Sequence, residues 1–153
     1  MGAKSLSRPA TKLYDEDFVE WAGETARLLR AGRFDRIDIE HLVEEVEDMG
    51  SRDKRELLSR LIVLLQHLVK WQHQPEMRSG SWRATIITQR TELELLFEQS
   101  PSLKRTARGS LLRACHKAVA AAAAETGLPI EAFPSECPFS LEQVLGETFL
   151  PGR

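Results

Sequence analysis

The sequence predicts an all-α fold, and three observations carry that prediction. Apolar residues recur at helical spacing in long runs, and no stretch alternates convincingly with the period of two that marks a half-buried strand. Between the runs stand glycines, prolines and capping residues of the kind that start and stop helices. The expected architecture is a bundle of about five helices with a proline-rich C-terminal wrap and a short final helix. With 153 residues the chain is long enough for one real core. The expected organisation is a disordered tail over residues 1–12 and a single helical domain over 13–153.

The stretch from Leu57 to Arg90 organises the rest. At 100° per residue, Leu57, Leu58, Leu61, Ile62, Leu64, Leu65, Leu68, Val69 and Trp71 fall within roughly half the helix circumference. A surface helix shows a narrower stripe, so this one is read as the central helix. Arg60, Gln66, His67 and Lys70 interrupt the apolar run and argue against a membrane span.

The other elements follow in order. Asp15 is placed to cap a first helix, with Glu16 and Asp17 in its first turn facing the positive end of the macrodipole. Phe18, Trp21, Ala22, Thr25, Leu28 and Leu29 form its expected buried stripe, and Gly32 supplies the left-handed stop. A second helix is expected from Asp38 to Gly50, with Ile37 and Leu42 as a hydrophobic staple. Its apolar face holds Ile39, Leu42, Val43, Val46 and Met49, and Ser51 can then cap the central helix. Pro75 ends the central helix, and Ser79-Gly80-Ser81 makes a turn that caps the next one.

That fourth helix presents Trp82, Ile86, Leu93, Leu96 and Phe97 on one face, with Gln89 in its middle and Arg83 and Arg90 together at one edge. A polar amide at a core-facing angle costs a few kcal/mol unless it finds a partner, on the order of the penalty for unpaired amides. Ser100-Pro101 reads as the cap and first position of a fifth helix reaching about Glu125. It buries Leu103, Ala107, Leu111, Ala114, Ala118 and Ala122, and its first turn is basic, which opposes the macrodipole and calls for a nearby carboxylate. Gly127 and Pro129 close it, and Ser140 with Gln143 forms a capping box for a short last helix.

Composition bounds the function only loosely. The net charge is −2, and hydrophobic and charged fractions are ordinary for a globular protein. Residues 1–50 carry 7 Lys or Arg against 12 Asp or Glu, a balance of −5, whereas residues 51–153 carry 14 against 11, a balance of +3. Opposite-signed halves can pair with each other, so nucleic-acid binding gains little. No apolar segment of signal-peptide type follows Met1. Leu6 stands where a myristoylation motif needs Ser or Thr. Cys115 and Cys137 lack metal-type spacing and are read as reduced thiols of a cytoplasmic protein, the first packed and the second in a proline-rich loop.

Three constellations could carry chemistry. His41, Glu44 and Glu45 have i, i+3, i+4 spacing, and His67 could join them around a metal. A di-metal bundle needs Glu-x-x-His on two helices, and only one loose half-match is present, so a solvated acidic face is the stronger reading. His67, Gln89, Glu44 and Glu45 are candidates for a buried polar network. The second constellation is the basic turn, where Lys70, Arg78, Arg83 and Arg90 surround Trp71 and Trp82 and could contact an anion or a protein partner. The plainer alternative pairs Arg83 and Arg90 with Glu44 or Glu45 and makes the tryptophans core. The third is the basic helix 101–125, whose five charges spread over about 220° rather than lining one edge, so nucleic acid is an unlikely ligand. Hydrolase, phosphate-loop and zincin motifs are absent from the sequence, and no catalytic residue or cofactor is assigned.

Four segments together resemble a known family: LYDEDFVEW at 13–21, IDIEHLVEEVEDMG at 37–50, LLQHLVKWQHQPEMRSGSWRATI at 64–86 and CPFSLEQVLGETFLP at 137–151. They are similar to the bacterial family filed as domain of unknown function number twenty-nine. The resemblance covers nearly the whole chain in order and implies a small, mostly helical protein, with no activity or site residues to carry over. It departs at His41, where asparagine is the more usual residue, which weakens any metal role there. The resulting expectation is a non-catalytic interaction module, with a metal-dependent enzyme and nucleic-acid binding as alternatives.

Overall fold

In the computed structural model, which describes residues 10–152, six α-helices and three short 3-10 turns make up the regular structure, with no strand among the described residues. The fold is all-α. The expected disordered tail lies outside the described residues up to residue 9, and residues 10–12 open the first helix. The chain divides into two compact units, residues 1–51 and 52–153.

In the first unit the helices are α1 (Ala10–Glu16), α2 (Phe18–Arg30) and the opening of α3 (Ile39–His73). The first predicted helix is thus two, because Asp17 and not Asp15 is the cap: its carboxylate accepts from the Glu20 N–H at 3.0 Å. Gly32 takes the left-handed conformation, with φ +67°, that its stop position demands. Tyr14 joins the three helices. Its ring packs edge-on to Trp21 at 4.9 Å and stacks on His41 at 3.9 Å, while its hydroxyl donates to Glu45 Oε1 at 2.6 Å. Of the expected stripe on α2, Trp21, Thr25 and Leu28 are buried, but Phe18 and Leu29 are exposed.

The second and central predicted helices are one. α3 runs for 35 residues straight through Gly50 and Ser51. A glycine within a helix costs only about 0.5–1 kcal/mol relative to alanine, and neither a proline nor a left-handed residue follows to enforce a stop.

In the second unit, α3 continues to His73, followed by a turn at Pro75–Met77, α4 (Gly80–Gln99), α5 (Leu103–Thr126), a turn at Ile130–Ala132 and α6 (Leu141–Leu145). The α3 residues Leu57, Leu61, Leu64, Leu65, Leu68 and Val69 are all buried and form the centre of the core, as their wide stripe predicts. Ile86, Leu93, Leu96 and Phe97 come from α4, and Leu103, Ala107, Ala114, Ala118 and Ala122 from α5. Phe133, Phe139, Leu141 and Val144 complete it from the C-terminal wrap.

Caps follow the sequence closely. Ser79 accepts from Trp82 N–H, Gly127 closes α5 at φ +73°, and Ser140 and Gln143 form the reciprocal capping box. The start of α5 differs: Ser100 and Pro101 form a preceding turn, and Ser102 occupies the cap position without a side-chain bond. The carboxylate that this basic helix calls for is Glu142, which accepts from Arg108 at 2.9 Å.

Candidate functional site

The basic turn of 70–90 is largely tied into the protein itself. Lys70, 1% exposed, donates to Glu125 Oε1 at 2.7 Å and lies 4.4 Å from the centroid of the Trp82 ring. Gln66 donates to the other oxygen of Glu125 at 2.6 Å, so one carboxylate at the end of α5 binds two residues of α3. The Lys70 bond holds the Glu125 carboxyl below the usual carboxylate range. Arg78 lies over Trp71, 5.2 Å from its ring centroid, and donates to the Trp71 carbonyl at 2.8 Å.

Arg90 is buried and donates to three carbonyls of the C-terminal segment: Val144 at 2.9 Å, Glu147 at 3.4 Å and Phe149 at 2.8 Å. Burial pushes its pKa down. Its three acceptors are backbone oxygens. Arg83 is exposed. Among the six residues named for an anion or partner contact, Lys70, Trp71, Arg78, Trp82 and Arg90 have partners within the protein, and Arg83 is exposed.

The four residues named for a polar network are divided between the two units, two in each. His67 Nδ1 lies 2.9 Å from the Val63 carbonyl one turn back, and burial lowers its pKa. Gln89 keeps the irregularity foreseen for it: its Oε1 is buried without a partner in the described structure. In the first unit Glu45 accepts from Tyr14, while Glu44 is exposed. The Glu45 bond and its negative charge push the Tyr14 phenol up to about 12.

His41, the remaining metal candidate, bonds Asp38 Oδ2 through Nδ1 at 2.5 Å, and that bond raises its pKa. Among the described residues, no three His, Cys, Asp or Glu side chains gather where a metal could sit. Among them too, no helix is long and apolar enough to cross a membrane.

The most unusual surface lies on the opening of α3. Of Ile39, Leu42, Val43, Val46 and Met49, which the spacing places on one face, Leu42 is half-buried, whereas Ile39, Val43, Val46 and Met49 are 52%, 49%, 57% and 62% exposed. Helical spacing puts them in an arc of about 120°, while His41 and Glu45, which α1 covers through Tyr14, lie roughly 100–140° round from its centre. The helix thus turns His41 and Glu45 to α1 and leaves Ile39, Val43, Val46 and Met49 exposed. Glu40, Glu44 and Glu47 run along one edge of the bare stripe, and residues 38–51 contain no Lys or Arg. Phe18, Val19 and Leu29 on α2 are exposed as well. The spacing was legible in the sequence. The direction of the stripe was not, because it is set by Tyr14 choosing His41 and Glu45.

No curated protein and no solved structure matches this chain. The family described as Domain of unknown function DUF29 matches residues 13–150, both units included, and the chain belongs to that family.

Proposed function

We propose that the chain is a non-catalytic protein-interaction module of the bacterial cytoplasm, working as one unit over residues 13–153, and that its contact surface is the bare stripe of α3. The observation that supports this is the exposure of Ile39, Val43, Val46 and Met49 on a single helical face. Contiguous exposed apolar surface of this kind is uncommon on a monomer and marks interaction sites. A methionine in such a stripe adds adaptability to differently shaped partners. The occupant is a basic amphipathic helix. Its apolar face meets the stripe at helical spacing, and its Lys or Arg residues meet Glu40, Glu44 and Glu47. A second copy is disfavoured, because pairing two stripes about their centres brings only negative flanks together. The free thiols Cys115 and Cys137 fit a reducing compartment.

A synthetic Leu/Lys amphipathic peptide of about five helical turns tests the reading by NMR titration. Amide shifts concentrated in residues 39–50, lost in the Val43→Asp/Val46→Asp variant although its negative charge is greater, are expected. The exposed Arg83→Glu variant is expected to bind like wild type. Self-association lost in the double variant would replace the basic partner with a second copy. Shifts spread over all acidic residues, unchanged in the variant, would overturn the stripe as a site.

A further inference from the structure

We propose that the cleft between α4, the first turn of α5 and the end of α6 binds a small organic amine with an apolar body. The cleft has a volume of about 510 Å³, within the usual size of a ligand pocket. All its lining residues belong to the second unit. The apolar part of the lining is Ile87, Phe97 and Leu145, of which Phe97 is buried and Leu145 half-buried. Arg90 lines the cleft as well, but its three nitrogens are engaged by the Val144, Glu147 and Phe149 carbonyls. The guanidinium therefore holds the wall together and is not open to an anionic ligand.

The charged part of the lining completes the cleft. Glu94 and Glu98 come from α4, Glu147 follows α6, and Lys104 stands in the first turn of α5. All four are exposed, and among the described residues no ion pair engages any of them. Glu94 and Glu98 are one helical turn apart, an arrangement of like charges that is unfavourable until a cation lies between them. Three carboxylates against the charges of Lys104 and Arg90 leave an excess of one negative charge, which a single ammonium balances.

A side chain of the protein itself identifies the ligand chemistry. The Lys104 ammonium lies 5.9 Å from the centroid of the Phe97 ring, so an alkylammonium on a tether already stands over the aromatic lining. With no carboxylate holding it there, a free amine can displace it. The amine sets its apolar body on Ile87, Phe97 and Leu145, which removes apolar surface from water, and its ammonium between Glu94 and Glu98. A neutral isostere gains only the first contact. A polyamine without an apolar body gains only the second, and an anion meets three carboxylates.

Tryptamine is the probe, titrated into the full chain and followed by amide NMR. Saturating shifts are expected at residues 87–98, at Lys104 and at residues 145–147. Tryptophol, indole-3-propionate and putrescine are each expected to bind about tenfold more weakly, the factor that one charge-assisted bond or one buried ring supplies. Glu94→Gln/Glu98→Gln, an exposed and isosteric pair of changes, is expected to lose about tenfold in tryptamine affinity. Lys104→Met is expected to gain affinity, because the tethered competitor and its repulsion are removed, and a misfolded variant could not mimic a gain. Tryptophol or putrescine binding as tightly as tryptamine would overturn the proposal. So would shifts confined to residues 39–50, no saturating shift at millimolar tryptamine, or weaker binding by Lys104→Met.

Discussion

Arg90 Nε donates to the Val144 carbonyl at 2.9 Å, and through that bond a side chain of α4 holds the backbone of α6. Two further bonds, to Glu147 and Phe149, make the guanidinium a fork that gathers the chain after α6 into one turn. Only arginine has the donors and planar spread for three diverging carbonyls. Replacing it with methionine preserves much of the volume but strips three acceptors of their donor. Arg90→Met is expected to lower unfolding free energy by about 3 kcal/mol, and Arg90→Lys by nearly as much. Urea denaturation measures the loss, and limited proteolysis after residue 140 should appear in both variants before global unfolding.

Lys70 and Glu125 make the second long-range tie, between α3 and the end of α5. The ammonium is enclosed, with the Trp82 face on one side, whereas the carboxylate is half-exposed. Removing the anion leaves an enclosed cation with only the aromatic face to compensate, and solvent at Glu125 limits the cost. Glu125→Ala is expected to cost roughly 1–2 kcal/mol, and Lys70→Met less than about 1 kcal/mol. Acid titration adds a sign. The folded carboxyl titrates below its ordinary 4.5, so its stabilisation is complete above that pH and disappears as pH falls through the lower folded value. Acid unfolding of Glu125→Gln should lack that component, with the difference from wild type shrinking below pH 4.5.

Gly50 lies inside the continuous α3, exposed, and an added Cβ would meet nothing within 4 Å. Alanine there lowers unfolded-chain entropy and improves helix propensity without a clash. Gly50→Ala is expected to stabilise the protein by about 0.5–1 kcal/mol, read as a rise in the thermal midpoint. Were α3 two helices meeting at a glycine stop, the same change would destabilise.

The contrast between what was and was not legible follows from range. The wide stripe of α3, the Ser79 cap, the Ser140–Gln143 box and the Gly127 stop all rest on contacts within a few residues, and each stands as the spacing implies. Gln89 was found because a polar residue at a core angle is itself a local anomaly. Arg90 was placed at the edge of the same face, yet nothing local could choose carbonyls more than fifty residues away over a carboxylate. Glu125 offered one unused clue: it is the first acid after a long basic and alanine run, and such an isolated charge at a helix end needs a cation. Gly50 misled because a glycine can end a helix without having to. The apolar stripe at 39–49 is a different case: its period was legible, but a period does not say whether the face is covered.

Asp38 and His41 form the remaining local device, at the opening of α3. Asp38 is buried, its carboxylate 3.4 Å from the His41 N–H in capping fashion and also bonded to the imidazole Nδ1. That side-chain bond is the main reason the His41 pKa stands above its ordinary 6.5, with the charges of Asp38, Glu44 and Asp15 adding to it against partial desolvation. A group raised on folding stabilises fully below its unfolded pKa, and the effect fades as pH rises through the folded value. The contribution is therefore present below pH 6.5 and lost above it, on the alkaline side of the folded His41 transition. An NMR titration should place the imidazole midpoint above 6.5 in wild type and return it toward that value in Asp38→Asn, where the amide can no longer offer a charged acceptor. Tyr14 stacks on the same ring, so its resonances should report the identical midpoint, and a wild-type His41 titrating at or below 6.5 would show that the Asp38 bond does not persist in solution.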